Sequence, residues 1–347
     1  MTCCLGTSRY ALVLTLERDP EAATAAACLI CLVPPVRFGA AGAGSGRPDP
    51  QLCVCAIRLR VGSERTRKPE GGEHPLCEAD ALVGSTNQID FLTKLSDTRV
   101  LVTGGTSGLG RAMAQALVQA GARVALTSRD EERAQATAAE MGAGAVGIEL
   151  DVRDPTSVSA AVDGAFGMLG GLDVLVNNAG IGMRTVNPRF MTEPQPFWEV
   201  TPAGFRDVLE TKATGTFLVA RAVVSRMLSA GGGRVVTISM SEQTMTRRGF
   251  IPYGPSGAAV EALARVMAAD LADTPVTANI LLPGGATATG MIPDEMADEL
   301  RGNLLDPSIM GPPIVWLASP DAAGVHDERI IARDFGQWLA AREKRNL

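Results

Sequence analysis

Val100-Leu-Val-Thr-Gly-Gly-Thr-Ser-Gly-Leu-Gly110 is the stretch that decides the fold. Three apolar β-formers run into a glycine-rich turn, and an alanine-rich helical pattern starts straight after it. The reading is strand, tight turn, helix. Glycine at such a turn permits positive φ and removes the Cβ atoms that would hold a ligand off the backbone. The following helix points its free N–H groups and positive dipole end back at the turn, which suits a pyrophosphate. The spacing Gly104-x3-Gly108-x-Gly110 is looser than the G-x-G-x-x-G dinucleotide fingerprint. On its own the turn is therefore also compatible with a structural βα connection. The ligand contacts expected from it are Gly104, Thr106, Ser107, Gly108, Leu109 and Gly110.

Outward from this turn, strands and helices alternate to the end of the chain. Strands are expected at Arg99–Thr103, Arg123–Thr127, Val146–Leu150, Asp173–Val176, Arg234–Ile238, Val276–Leu282 and Arg329–Ala332. Helices are expected at Leu109–Ala120, Asp130–Met141 with acids in its first turn, a segment opened by Pro155, a long Pro202–Leu228, Ser256–Leu271 and a short Ile314–Ser319. The near-continuous apolar strands fit burial on both faces. The fold class is α/β: one Rossmann-type, doubly wound parallel sheet in three α/β/α layers. In such sheets ligands bind at the carboxyl ends of the strands, so the residues after each strand are the ones to inspect.

Composition bounds the rest. The 347 residues carry a formal net charge of −6, which gives no reason to expect nucleic acid. No apolar run reaches the roughly 20 residues of a membrane span. All seven cysteines precede residue 78, so the remainder needs no disulfide or thiolate metal site. Residues 1–88 show no sustained helical or strand period and include a Gly/Ala/Pro/Arg-rich stretch from Phe38 to Pro50. They are expected to form a low-order extension before a dinucleotide-binding domain at 89–347. Cys28-x-x-Cys31 and Cys53-x-Cys55 are too irregular for a zinc knuckle, and no metal site is expected. The apolar stretch Ala25–Val36 lacks the charged flank and cleavage site of a signal peptide. A cytoplasmic chain is expected.

After the second domain strand comes Ser128-Arg129, where an NAD site usually carries a carboxylate for the ribose hydroxyls. A charged hydrogen bond from Arg129 to a 2′-phosphate is worth roughly 1.5–3 kcal/mol. NADP is therefore expected over NAD; the bland alternative is an exposed arginine heading a helix. Asp151-Val152 follows the third strand and Asn177-Asn178-Ala179-Gly180 the fourth, small and polar groups suited to a wall against adenosine and ribose.

With these pieces, plus Tyr253, Ser256 and Pro283-Gly284, the chain resembles the short-chain dehydrogenase/reductase family over about residues 95–335. The resemblance implies a nicotinamide cofactor, hydride transfer between a carbonyl and an alcohol, a small-molecule substrate, and a homo-oligomer, tetramer or dimer. It also implies Asn, Ser, Tyr and Lys as working groups, in which Tyr moves the hydroxyl proton, Ser holds the substrate oxygen and Lys lowers the tyrosine pKa and grips the nicotinamide ribose. Tyr253 stands in the tyrosine position. The lysine, four residues on, is replaced by Gly257, and the asparagine by Lys212. The serine position falls on Met240, flanked by Ser239 and Ser241, of which Ser241 is preferred. Lys212, the only lysine between Lys94 and Lys344, is expected to reach into the space left by Gly257; the alternative is an ordinary helix lysine.

The segments Gly182–Val200 and Thr289–Pro307 are the expected substrate loops, rich in Met and Phe, with Thr289 set to touch the nicotinamide carboxamide. They suggest an apolar or mid-sized carbonyl substrate, while Arg184, Arg247 and Arg248 leave room for a carboxylate or a thioester-bound acid. Two functions remain open: a carbonyl/alcohol oxidoreductase with modified Tyr/Lys chemistry, and a non-catalytic dinucleotide-binding sensor or structural subunit.

Overall fold

A computed structural model of the chain describes residues 2–7, 10–15, 95–293 and 302–345. The expected boundary at residues 88 and 89 and the pairs Cys28/Cys31 and Cys53/Cys55 lie outside these. The chain divides into a first unit, Met1–Ala81, and a second, Leu82–Leu347. In the first, Thr2–Thr7 (β1) and Tyr10–Thr15 (β2) pair antiparallel, with Thr2 opposite Thr15 and Thr7 opposite Tyr10. This short hairpin is the part of residues 1–88 that the structure describes, in a stretch whose sequence shows no sustained strand period. Its residues favour a pleated strand, but its apolar residues come in runs, so the period of two is missing from the sequence.

The second unit holds a parallel sheet of seven strands: β3 (Arg99–Val102), β4 (Arg123–Ser128), β5 (Ala145–Glu149), β6 (Val174–Asn177), β7 (Gly233–Ile238), β8 (Val276–Leu282) and β9 (Arg329–Ile331). Their spatial order is β5-β4-β3-β6-β7-β8-β9, and every neighbouring pair is parallel. The chain leaves β3 toward one edge, then returns to β6 and runs to the other. The crevice therefore opens beyond the carboxyl ends of β3 and β6.

Helices α1 (Gly108–Gln119), α2 (Glu131–Met141), α3 (Pro155–Leu169), α4 (Pro202–Leu209), α5 (Gly215–Ala230), α6 (Glu242–Met245), α7 (Tyr253–Leu271), α8 (Gly311–Ala318) and α9 (Phe335–Arg345) cover the sheet. One face buries Val100, Val102, Val124 and Leu126 under α1, α2 and α8; the other buries Leu101, Ala125, Leu175 and Val235 under α3, α5 and α7. Alternate residues of one strand thus feed opposite cores, as expected for a strand buried on both faces. The caps set the registers: Asp130 accepts from Arg133 N–H at 3.0 Å, and Asp154, before Pro155, accepts from Thr156 N–H at 2.9 Å.

The expected helix Pro202–Leu228 is continuous but not uniform. Glu210–Thr214 forms one π turn between α4 and α5. It lies where Gly215 presses on Val152, so closely that a Cβ at 215 would be 2.6 Å from Val152 Cγ2. Such turns recur at functional sites, and this one carries Lys212 into the interior.

Candidate active site

The glycine turn is a cradle held open by its neighbours. Gly104 and Gly108 have φ of 65° and 52°, which only glycine adopts readily. A Cβ at Gly110 would be 2.2 Å from Gly104 O and 2.4 Å from Asn178 Nδ2, and one at Gly104 would be 3.0 Å from Ala179 Cα. Thr103 Oγ1 accepts from the N–H groups of Asn178 and Ala179 at 2.9 and 3.0 Å. The Asn178 amide donates to Thr103 O and Gly104 O at 2.9 and 3.1 Å, so its side chain fastens the turn rather than facing the crevice. Ser107 precedes α1 in an extended conformation and makes no side-chain cap, which leaves the first N–H groups of α1 directed at the crevice. Thr106 is half-buried in the turn, and Leu109 turns inward against the core.

Beyond β4, Ser128 Oγ accepts from Asp130 N–H at 3.2 Å, and Arg129 is exposed. Beyond β5, the Asp151 carboxylate is engaged by Arg153 through Nε at 3.0 Å and through a terminal nitrogen at 2.7 Å. Arg153 also reaches Asp207 at 2.7 Å. Hydrogen bonding to Arg153 holds the Asp151 carboxyl below its ordinary pKa, against the opposing effect of burial. Arg129 acts on Asp151 in the same direction through charge alone. Val152 is buried against Gly215.

Tyr253 opens α7 beside the Lys212 side chain. Lys212 Nζ lies 4.7 Å from the centroid of the Tyr253 ring, a cation–π contact. The lysine stem passes Gly180, where a Cβ would be 3.1 Å from Lys212 Cγ and 3.5 Å from Nζ. Burial lowers the Lys212 pKa to about 8 and raises that of the Tyr253 phenol. The space beside Gly257 is not taken by Lys212 as expected. Met240 fills it, with Cε 2.5 Å from where a Cβ at 257 would stand. A thioether is apolar and flexible enough to occupy an irregular buried gap, whereas an ammonium there would lose its hydration.

The two flanking serines differ. Ser239 Oγ donates to Glu261 at 2.6 Å, and Glu261 accepts from Arg329 Nε at 2.6 Å. Arg329 also donates to Met240 O at 3.1 Å, which closes a clamp on the strand end. Ser241 caps α6: its Oγ accepts from Thr244 N–H at 3.3 Å and lies 2.9 Å from Thr244 Oγ1.

The two substrate loops meet over this pair. Met183, Phe190 and Phe250 form a small core against which Met191 and Tyr253 pack. Tyr253 OH donates to Met291 Sδ at 3.7 Å, and Met291 Cγ would stand 3.0 Å from a Cβ at Gly182. Beyond β8, Pro283 is buried, and Gly284 at φ 93° backs onto Ile331. Thr289 lies over the first turn of α1, its Cγ2 3.2 Å from a Cβ position at Gly108. Arg184 donates to the carbonyls of Gly290 and Ile292 at 3.0 and 3.2 Å, tying one loop to the other. Gly108, Arg184, Thr289, Ile292 and Leu304 line a cavity of about 370 Å³ at the mouth of the crevice. Met296 and Leu300 lie outside the described residues.

Sequence reading missed Arg153, Glu261 and Arg329. Their partners are fixed by tertiary approach; Glu261 and Arg329 are 68 residues apart and carry no local signal. It also missed Met291 as the partner of the tyrosine hydroxyl, although Met291 stands in a loop already marked for the substrate.

Residues 98–300 match the family described as short chain dehydrogenase. The chain is 32% identical over 237 residues to the 3-oxoacyl-[acyl-carrier-protein] reductase FabG of Vibrio cholerae serotype O1, covering 66% of this chain and 93% of the relative. It is 33% identical over 226 residues to a 3-alpha-(or 20-beta)-hydroxysteroid dehydrogenase of Mycobacterium tuberculosis, covering 64% and 83%. Among solved structures, a 3-ketoacyl-(acyl-carrier-protein) reductase from Brucella melitensis complexed with NADH superposes with a TM-score of 0.61 at 26% identity, over 68% of this chain and 97% of that one. A short chain dehydrogenase from Burkholderia cenocepacia in complex with NADP gives 0.59 at 30% identity, over 69% and 97%.

Proposed function

This chain belongs to the short-chain dehydrogenase family, and on that premise we propose that it is an NADP-dependent oxidoreductase interconverting a ketone or aldehyde with its alcohol. The observation that carries the reading is the Lys212 ammonium 4.7 Å over the Tyr253 ring, on the side of the sheet's carboxyl ends that also bears the glycine cradle. The cradle fits a dinucleotide: Gly104 and Gly108 hold the turn at positive φ, and the first N–H groups of α1, left without a side-chain cap, are free to meet a pyrophosphate. Gly104, Thr106, Ser107, Gly108, Leu109 and Gly110 would hold the pyrophosphate, and Ser128 with Arg129 the 2′-phosphate. Asp151, Val152, Ala179 and Gly180 would wall the adenosine and ribose, with Asn178 acting through the turn it fastens. Pro283, Gly284 and Thr289 would border the nicotinamide. When bound, that group supplies or accepts the hydride.

Tyr253 is the proton donor. Burial keeps its phenol protonated at neutral pH, which favours reduction over oxidation. Lys212, mostly cationic at pH 7 with a pKa of about 8, stabilises negative charge developing on the substrate oxygen. That oxygen displaces the Met291 sulfur from the tyrosine hydroxyl. Of the two serines, Ser241 keeps the auxiliary role, because Ser239 has its proton committed to Glu261. The Met- and Phe-lined loops favour an apolar or mid-sized carbonyl. We further propose a cytoplasmic homo-oligomer, a tetramer or dimer. Phe217 and Val266, 47% and 57% exposed on α5 and α7, offer apolar surface for it.

The test is NADPH consumption by the full chain over a panel of ketones and aldehydes, with Tyr253→Phe alongside and NADPH binding followed by fluorescence. Turnover that vanishes in Tyr253→Phe while NADPH still binds supports the reading. Binding without turnover on any carbonyl overturns it in favour of a non-catalytic dinucleotide-binding protein, the reading that Gly257 and Met240 favour.

A further inference from the structure

The chain has four lysines, Lys68, Lys94, Lys212 and Lys344. Lys212 is only 9% exposed, held inside by the π turn between α4 and α5. Its stem packs on Gly180 and its amine ends over the Tyr253 ring. Among the described residues no neighbouring charge acts on it; burial alone does. The hydroxyl of that same tyrosine donates to the thioether of Met291. An amine and a phenol thus lie side by side in the interior, the lysine stem against Gly180 and the hydroxyl against Met291.

A buried ammonium without a counter-ion is destabilised relative to the free amine, and a desolvated lysine amine is a nucleophile toward carbonyl carbon. We propose that Lys212 captures carbonyl compounds covalently, its free amine condensing beside Tyr253 with an aldehyde or ketone to form an imine. The nitrogen lone pair forms the C–N bond while the carbonyl π pair moves to oxygen, which takes the Tyr253 proton. The nitrogen gives up one proton, which restores the phenol. Tyr253 then protonates the carbinolamine hydroxyl, which leaves as water while the nitrogen lone pair forms the C=N bond, and the remaining nitrogen proton returns to the Tyr253 oxygen. One carbonyl compound and one amine give one imine and one water, with nothing oxidised or reduced. No dinucleotide takes part, so this activity stands apart from the reductase reading. The entering carbonyl displaces Met291 Sδ from the hydroxyl, as a reductase substrate would.

With a pKa of about 8, half of Lys212 is free amine at pH 8, against roughly one in 300 for an ordinary lysine near 10.5. The experiment treats the full chain with 2,4-pentanedione, a 1,3-diketone that condenses with an amine to a stable, ultraviolet-absorbing enaminone without a reductant. A parallel sample receives benzaldehyde with cyanoborohydride, which fixes an imine as a secondary amine. Peptide mass mapping across pH 6–10 then reads each lysine separately, with the amino-terminal amine as a standard of similar basicity.

The expected result is Lys212 labelled at least tenfold faster than Lys68, Lys94 and Lys344, with a rate that rises through pH 8 and levels above it. Tyr253→Phe is expected to slow that labelling several-fold, and Lys212→Arg to remove it. Even labelling of all lysines, or an unlabelled Lys212 beside labelled Lys68, Lys94 and Lys344, overturns the proposal on the wild-type chain alone. Labelling without NADPH turnover leaves this activity standing and removes the reductase reading; turnover without labelling does the reverse.

Discussion

Met240 occupies the space that any side chain at position 257 would need: a Cβ there would lie 2.5 Å from Met240 Cε and 2.7 Å from Sδ. By the family resemblance these are the serine and lysine positions. The two departures are therefore one packed exchange, in which a longer apolar side chain fills what a lost lysine stem would leave. Gly257→Lys alone must displace a methionine that is 7% exposed, an overpacking cost of about 1–3 kcal/mol. Met240→Ser relieves it. In urea unfolding, the double variant Met240→Ser/Gly257→Lys is expected to be less destabilised than the sum of the two single variants by about 1 kcal/mol or more. Additive effects would show that the two sites do not share the space.

Lys212 gives stability a pH dependence of definite sign. Its folded-state pKa is depressed to about 8 from 10.5, so between those values the unfolded chain binds more protons than the folded one. The penalty is complete below pH 8 and fades as pH rises toward 10.5. At 1.36 kcal/mol per unit it amounts to about 3 kcal/mol. Lys212→Met is therefore expected to stabilise the fold at pH 7, and to do so by about 2 kcal/mol less at pH 10. Urea titrations of both proteins at the two pH values measure it. An equal difference at both would mean that the ammonium is not desolvated.

Arg129 is exposed at the end of β4, where a 2′-phosphate would lie, and Ser128 beside it is tied to the helix cap through Asp130 N–H. Arg129→Ala is expected to weaken NADPH binding ten- to hundredfold, from the loss of a charge-assisted bond of roughly 1.5–3 kcal/mol, and to leave NADH binding within about twofold. Fluorescence titrations with both nucleotides read this directly. Equal weakening of the two would assign Arg129 to the shared part of the dinucleotide and end the preference for NADP.

The fold was legible because its signals are local. The apolar runs of β3, β4, β6 and β7, the glycines between β3 and α1 and the capping residues Asp130 and Asp154 each act within a few neighbours. At the site, residue types were legible and their partners were not. Asn178 and Asp151 both lie beyond strand ends as expected, but one amide is spent on Thr103 and Gly104 and one carboxylate on Arg153. The Asn178 partners lie 74 and 75 residues away along the chain, beyond the reach of any local pattern. Lys212 illustrates the same limit. Its closeness to Tyr253 followed from the resemblance, but its depth comes from a π turn that shifts the helix face by one residue, and the gap it was expected to enter belongs to a methionine rotamer.

Gly110 tests whether the cradle is a binding device or only a tight connection. A methyl group there would meet Gly104 O at 2.2 Å and Asn178 Nδ2 at 2.4 Å, both held by the hydrogen bonds that join β3 to the β6 loop. Neither atom is the free end of a flexible side chain: one is backbone, and the other donates two bonds at 2.9 and 3.1 Å. Gly110→Ala must therefore push the turn away from Asn178 and break at least one of those bonds. A destabilisation of about 1–3 kcal/mol is expected, with loss of detectable NADPH binding at concentrations that saturate the wild type. Gly142→Ala is the control, because its Cβ would meet nothing within 4 Å and its strain, from a φ of 95°, lies far from the crevice. It is expected to lower stability comparably and leave NADPH affinity unchanged. If both variants lost affinity in proportion to stability, the glycine turn would be acting through the fold alone. Loss confined to Gly110→Ala makes the geometry of the turn itself the binding determinant.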